Sequence, residues 1–428
     1  MKERILIILI LLGLSCGLSM AAENGKTFYL RGAFYQDWMG FKSGDNDFYS
    51  RLSSRLKLTL WNKPGEGWTA FIDIRNRYTM GEGGTNQFIM YDARLSFDSL
   101  RSKFFFSLGQ MNLYDTAGIG QLTGAVLGFK LNKYLSVGAY GGFEPDIYDS
   151  HWDFSYQKFG GFLRYLGPGA KQFSLSYNRL SFDGTSERQF VYSSILLPIQ
   201  QVLVLYGNLE YELNPGTKSE DRLSRLFLNT RVNLTRYADV IAHYSSGRGL
   251  DYHRYLLEQS QDPSLQNNEI ERFYYTESYG VRLSIKPMKN LRLYASRQDS
   301  EQKDLGVKNH TTGFGLSITD MFNTGVSVYG NYNMNRGDAS ESDSFYLSAS
   351  KSFGKVSWNL SFANFYNGVR FGGDGSPEVF HLPNQKTIST NLFIILSRAL
   401  AISFDYAYSN QTDYSDHQFF IRLIFRKY

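Results

Sequence analysis

Residues 51–60 read Arg-Leu-Ser-Ser-Arg-Leu-Lys-Leu-Thr-Leu. Even positions carry Leu52, Leu56, Leu58 and Leu60, while odd positions carry Arg51, Ser53, Arg55, Lys57 and Thr59. A step of 180° per residue puts these two sets on opposite faces of a strand, one suited to hydrocarbon and the other to water. The same split recurs with Ile89, Tyr91, Ala93, Leu95 and Phe97 against Asp92, Arg94 and Ser96, and with Tyr279, Val281, Leu283 and Ile285 against Gly280, Arg282, Ser284 and Lys286. It returns at residues 225–234, 356–362 and 400–408, so period two runs the length of the chain.

Composition agrees with extended structure. The chain of 428 residues holds 31 Tyr, 33 Phe and 40 Gly but only 9 Pro, a residue set that favours strands and tight turns. With 42% apolar residues it can bury a large core, which excludes a disordered chain. The 45 basic and 40 acidic residues leave a formal charge of +5, which lacks the one-sided excess of a nucleic-acid binder. No nucleic-acid partner is expected.

The N-terminus reads as a targeting segment. Lys2, Glu3 and Arg4 precede an apolar run over residues 5–14, and Ser19-Met20-Ala21 supplies small residues at a cleavage spacing. Residues 1–21 are therefore expected to be a signal peptide and residues 22–428 a single barrel domain. The run is too short to span a bilayer, and no later stretch approaches 18 uncharged apolar residues, so no transmembrane helix is expected. The single cysteine, Cys16, lies within the signal, and Gly13 and Leu14 depart from a lipidation box. Cleavage after it would remove disulfides, thiolate metal ligands and haem attachment together.

Short turns, at residues 62–67, 98–102, 167–171, 287–290 and 353–355, interleave with longer polar loops at 38–47, 143–156, 246–271, 299–309, 336–343 and 367–385. That asymmetry, with no linker or composition shift between residues 27 and 428, predicts an all-β fold: a single closed antiparallel transmembrane β-barrel of about 22 strands, range 18–22 and even. A water-soluble sandwich also alternates, but at this length it divides into domains. A barrel has no sheet edge and satisfies every backbone group internally, as lipid demands.

The chain resembles the Gram-negative outer-membrane porin superfamily over essentially all of the segment after the signal. Its last strand has Phe419, Ile421, Leu423 and Phe425 on one face and ends in Tyr428, similar to the terminal signal read by the barrel assembly machinery, although Arg426 stands where an apolar residue is common. The resemblance implies export to the cell outer membrane, contact with membrane lipid and lipopolysaccharide, and passive diffusion of small hydrophilic solutes. It does not imply a substrate.

The candidate pore-lining residues lie on the polar faces: Arg51, Arg55, Lys57, Asp73, Arg75, Arg77, Asp92 and Arg94, joined by Arg225, Arg231 and Arg282. The first eight carry six bases against two acids. Two readings stay open, a mild anion preference produced by a focused positive wall or a cross-strand ion-pair ladder that stiffens it. Residues 112–123 form the candidate constriction loop, with Tyr114, Asp115, Gly118 and Gly120. Gly128, Gly138, Gly142 and Gly160 follow on the polar side, either as a bare strip for that loop to lie on or as relief for a curved sheet.

Catalytic and metal motifs are missing. Gly118, Gly120 and Gly124 miss the dinucleotide spacing, Gly216-Thr217-Lys218-Ser219 lacks the phosphate-loop order, and six histidines, read as five in loops or strand mouths and one in a strand, form no ligand pair. Glu144, Asp146, Asp149 and Asp153 read as a solvated acidic loop. No enzyme activity, cofactor or metal is expected. Beside the channel, two other readings stand: a wide sheath around a lumenal or periplasmic protein partner such as a multihaem cytochrome, and a surface adhesin or receptor. The segment 247–272 is the longest loop and carries Tyr252, Tyr255 and Leu256 at helical spacing.

Overall fold

The computed structural model describes residues 29–43, 48–62, 67–80, 84–145, 152–213, 222–248, 275–303, 305–338, 340–371, 378–381, 383–411 and 415–427. The signal segment with Cys16, most of the segment 247–272, Asp146, Asp149, His151, His253 and Tyr428 lie outside the described residues, as do the side chains of Tyr114, Asp115 and Asp153.

The chain runs through β1 (Tyr29–Ser43), β2 (Tyr49–Trp61), β3 (Trp68–Met80), β4 (Asn86–Asp98) and β5 (Phe104–Asn112), then one helical turn, α1 (Tyr114–Ala117). It continues as β6 (Gln121–Lys130), β7 (Leu135–Pro145), β8 (Trp152–Leu166), β9 (Gln172–Phe182), β10 (Thr185–Ile199), β11 (Leu203–Glu212), β12 (Leu223–Thr235) and β13 (Ala238–Arg248). After it come β14 (Tyr275–Met288), β15 (Leu291–Gln302), β16 (Val307–Met321), β17 (Val326–Gly337), β18 (Ser340–Phe353) and β19 (Val356–Phe371). The last are β20 (Glu378–His381), β21 (Gln385–Ile395), β22 (Leu400–Asn410) and β23 (Ser415–Lys427). Each strand pairs antiparallel with its neighbours, and β1 pairs with β23 from Gly32↔Lys427 to Ser43↔Asp416. That ladder closes the sheet. Both β20 and β21 pair with β19, one after the other, so they are two pieces of a single return strand and the barrel has 22 spans.

One end of the barrel is made of connections of two to six residues, and the first and last described residues, Tyr29 and Lys427, lie there, since Tyr29 sits opposite Trp61 and Lys427 opposite Gly32. The β18–β19 turn is the two-residue pair Gly354 and Lys355, and Gly354 takes φ +62°, the left-handed value that matches strand twist in such hairpins. At the other end, the polar stretches 299–309 and 336–343, expected as loops, continue the ladders instead: β15–β16 pairing reaches Gln302↔Val307 and β17–β18 pairing reaches Arg336↔Glu341. Polar residues there mark strands rising beyond the apolar belt rather than leaving the sheet. Four of the six histidines are described, and all four, His243, His310, His381 and His417, sit within strands rather than in loops.

Burial assigns the faces. A closed wall crowds side chains on its concave side and splays them on its convex side. The polar set is crowded: Ser284 is 1% exposed and Asp239 4%. The apolar set is open, with Leu283 at 45% and Tyr279 at 57%. Oil therefore faces outward and water inward, as the period-two reading requires.

Register shifts interrupt several ladders, mostly near strand ends, and the one between β3 and β4 falls inside the basic wall. Asp73 pairs with Asp92 but Ile74 pairs with Met90, so Tyr91 is an extra residue in β4 and parity flips above it. Ile89 then lies opposite the inward Arg75, and Tyr91 turns inward with the Arg55 guanidinium 4.5 Å above its ring. Strict alternation from Phe97 would place both facing lipid. The side-chain pattern survives a bulge in which every residue is hydrophobic, so the sequence carries no mark of it.

The face assignment has a direct test. Leu347→Arg on the convex side of β18 is expected to cost about 2–4 kcal/mol near the bilayer midplane, whereas Ser348→Arg, one residue on and inward, should fall within about 1 kcal/mol of the parent. Urea unfolding from lipid vesicles reads both, and equal losses would contradict the assignment.

Candidate functional site

The basic residues of β2–β4 share one patch of the concave wall, and register explains their partners. Arg55 lies opposite Arg75 and Lys57 opposite Asp73. Asp73, almost buried, accepts from Arg55 through Nε at 2.7 Å and Nη2 at 2.8 Å, with the Lys57 ammonium at 3.3 Å. Arg94 lies 3.5 Å from Asp92. Arg75 donates to the Ser53 hydroxyl at 2.6 Å and reaches Asp37 at 3.9 Å.

Asp37 extends the patch across the closure. It sits on β1 opposite Ser53 and Arg422, and Arg422 donates to both its carboxylate oxygens at 2.8 and 3.1 Å. With these two added, seven bases face three acids, so the excess stays at +4. The surplus is not evenly placed. Arg51 donates to the Met39 sulfur at 3.7 Å, and Arg77 to the Gln87 side-chain oxygen at 3.3 Å, both neutral partners. A carboxylate shared between bases loses its field, whereas these two guanidinium groups keep theirs. Arg55, Lys57, Arg75, Arg94 and Arg422 thus belong to an ion-pair ladder with a net charge of +2, and Arg51 and Arg77, which touch no carboxylate among the described residues, supply the other two surplus charges.

Arg225, Arg231 and Arg282 are also on the concave face, on β12 and β14, where Arg231 pairs with Ile241 and Ile241 with Arg282. They form a separate basic region rather than part of the first patch. Arg282 lies 4.4 Å over the Tyr294 ring. Between the two regions, Arg188 holds the carboxylates of Glu210 and Glu212.

The segment 113–120 folds into the barrel. The Leu113 amide donates to the Gly120 carbonyl at 2.8 Å, closing the loop at its base, and the Ala117 amide donates to the Leu113 carbonyl at 2.8 Å, forming α1. That turn packs on β8, β9 and β10. Ala117, Ile119 and Leu122 disappear into a cluster with Met111, Val126, Leu180, Phe190 and Tyr192. Gly118, at φ +71°, lies against the Tyr192 ring where any side chain would overlap it, while Gly120, at φ +69°, has open space around it. The loop begins at 113 rather than 112 and ends at 120, because Asn112 and Gln121 still pair in the wall.

Beneath the loop, the glycines hold rings rather than the loop itself. A side chain on Gly128 would overlap Phe105, one on Gly138 would overlap Phe162, and one on Gly160 would overlap Tyr140. Each of these three glycines is the cross-strand neighbour of an aromatic that folds flat over it, and those rings form the floor under the cluster. Gly142 differs: it lies between Gly124 and Lys158, and a side chain there would overlap the backbone of residues 123 and 124.

Polar contacts fasten the loop from the far side. Lys158, 2% exposed on β8, donates to the Ile119 carbonyl at 2.7 Å and the Gln121 carbonyl at 3.1 Å, and its ammonium lies 3.0 Å from the Glu144 carboxylate. Ser176 donates to the Ala117 carbonyl at 3.3 Å, Asn178 donates to Ser176, and Tyr140 donates to Asn178. A buried ammonium is tolerated only with such a full set of acceptors. Sequence reading missed Asp37, Arg422, Lys158, Ser176 and Asn178. Inward parity was visible for each, but which strands lie beside the loop was not.

No protein-family model matches the chain, and no curated protein does. Among solved structures, the chain is similar to OccAB4 of Acinetobacter baumannii at 9% identity, covering 94% of this chain and 99% of that one with a TM-score of 0.42. OpdQ of Pseudomonas aeruginosa gives 9% identity, coverages of 94% and 100%, and a TM-score of 0.44. The translocation pore of the P pilus usher PapC gives 12%, 92% and 99%, with a TM-score of 0.47. Likeness at this level carries no family or activity across.

The fastening of the loop can be measured with a thiol. In a Cys16→Ser background, Ala117→Cys should react slowly with a small maleimide because the position is fully buried. Adding Lys158→Met should raise that rate by about tenfold or more as the loop opens locally; an unchanged rate would show that the apolar cluster holds the loop alone.

Proposed function

We propose that the chain is an outer-membrane channel for passive diffusion of small hydrophilic solutes, narrowed on one side by the loop 113–120. The observation that carries this reading is a closed barrel with a polar concave wall and a convex apolar one, into which a short loop is folded and fastened. Membrane lipid and lipopolysaccharide surround the convex face, and the barrel assembly machinery reads β23. No catalytic group takes part. Transport depends on the width, wetting and field of the lumen.

The docked loop weighs against a sheath around a folded partner. Such a partner would have to share the lumen with a loop whose Ala117 is fully buried and which covers the equally buried Leu122 of β6. Burying a side chain the size of Leu122 contributes about 1.5–3 kcal/mol, so displacing the cluster opposes entry.

The channel mildly prefers anions, through Arg51 and Arg77 rather than through the ladder. Their charge acts across water within about 10 Å at 0.1 M salt, and raising the ionic strength shrinks the effect. Arg51→Ser/Arg77→Ser should lower the anion/cation permeability ratio by about twofold toward unity in planar bilayers, read as reversal potentials under a salt gradient. Arg55→Ser should change it less, since that side chain is spent on Asp73. A ratio untouched by the double substitution would remove the selectivity role.

A further inference from the structure

At the short-turn end, the concave wall of β12–β14 forms a half-open recess of about 350 Å³ lined by Arg231, Asn233, Thr235, Arg236, Asp239 and Lys286, with Gln201 from the β10–β11 turn. That volume suits a small solute. Its charge is lopsided. Asp239, 4% exposed, is the one acid of the lining, and Arg292 reaches over Ser284 of β14 to donate to both of its oxygens at 3.0 and 2.7 Å. Arg292 thereby neutralises Asp239 from outside the cavity. Arg231, 3.7 Å from Asp239, is left as a minor partner, and Arg236 and Lys286 form no ion pair among the described residues. Three basic side chains therefore line one small space, with the Arg236 guanidinium lying 4.5 Å over the Tyr237 ring at its edge.

The neutral groups add fixed donors and shape. Asn233 donates to the Gln201 carbonyl, which ties the β10–β11 turn to β12 and closes the cavity on that side. The Lys286 amide donates to the Tyr237 carbonyl at 2.7 Å, which fixes the strand that carries the ammonium. Thr235 accepts from the Tyr237 amide at 3.1 Å, which leaves its hydroxyl proton available to a ligand. Two guanidinium forks and an ammonium in a walled site match an oxyanion with two or more negative charges better than a chloride ion, because several donors can be satisfied at once.

The geometry points to a binding site for a multiply charged oxyanion, of the phosphate or pyrophosphate class, at the short-turn mouth of the lumen. It lies on the concave wall, away from lipid, so a bilayer headgroup is not its source. This inference goes beyond the diffusion reading, since a channel without the site would still conduct.

Inorganic pyrophosphate is the probe. The full chain, folded in detergent without phospholipid, should bind it saturably in equilibrium dialysis at low salt. Arg231→Gln/Lys286→Gln should weaken binding by about tenfold or more, while Arg51→Ser/Arg77→Ser should leave it unchanged. Asp239→Asn removes the only acid and should tighten binding, a gain that misfolding cannot produce. Absence of saturable binding to the parent chain, or equal binding by the double variant that runs as a folded barrel on unheated gels, would overturn the site. Because dialysis needs no conduction, a failed channel reading would leave this result standing, and normal conductance without binding would reject the site alone.

Discussion

Hydrocarbon offers a peptide group nothing to bond with, so each backbone donor and acceptor in the membrane must find its partner in the wall. The ladder between β1 and β23 is where this condition is met or lost, because it turns a 22-span ribbon with two open edges into a cylinder. Asp37 and Arg422 meet across that seam, joining residues 385 positions apart. Closure also sorts the side chains. Once the sheet is round, concave and convex faces are fixed for all spans together, and a register slip of one residue in any strand would turn its apolar set into water.

Inside the wall a second constraint operates. Charges on the concave face are drawn close by curvature, and like charges directly opposite repel. Arg55 opposite Arg75 would be such a pair, but Arg55 leans toward Asp73 on the neighbouring β3 and Arg75 reaches across β2 toward Asp37 on β1. The bulge at Tyr91 assists by bringing an aromatic face under Arg55. Three acids thus hold most of the basic wall in place, and the two bases beyond their reach, Arg51 and Arg77, carry half of its surplus charge with no carboxylate beside them.

The fold was legible because period two depends on a single physical fact, that alternate residues point to opposite sides. Its reading located the inward loop as well, since residues 112–123 interrupt the alternation with few charges. What stayed hidden depends on neighbours far apart in the chain. Lys158 looks like any inward lysine until β8 is known to stand beside the loop. The strip of glycines made sense only once Phe105, Phe162 and Tyr140 were found lying across it. Tyr91 misled because an apolar bulge flips parity without changing the letters. The expected loops 299–309 and 336–343 misled differently: polarity marked height above the lipid, not departure from the sheet.

The lumen is therefore unequal around its circumference. The loop and its cluster occupy the side built from β8–β10, and long basic side chains project from β1–β4 and β12–β14. Across β17–β21 the inward positions are uncharged, with Asn331, Asn333, Ser348, Ser361, Ser389 and Asn391 alternating with the larger Tyr329, Tyr346 and Phe393. Many bond sideways to one another, as Ser361 does with Ser389 at 2.5 Å and Asn391 with Ser403 at 3.0 Å, which holds them flat against the wall. This side of the wall therefore carries hydroxyl, amide and aromatic groups and no charge, while the guanidinium groups stand on its flanks, so the charge of the concave face is confined to part of its circumference.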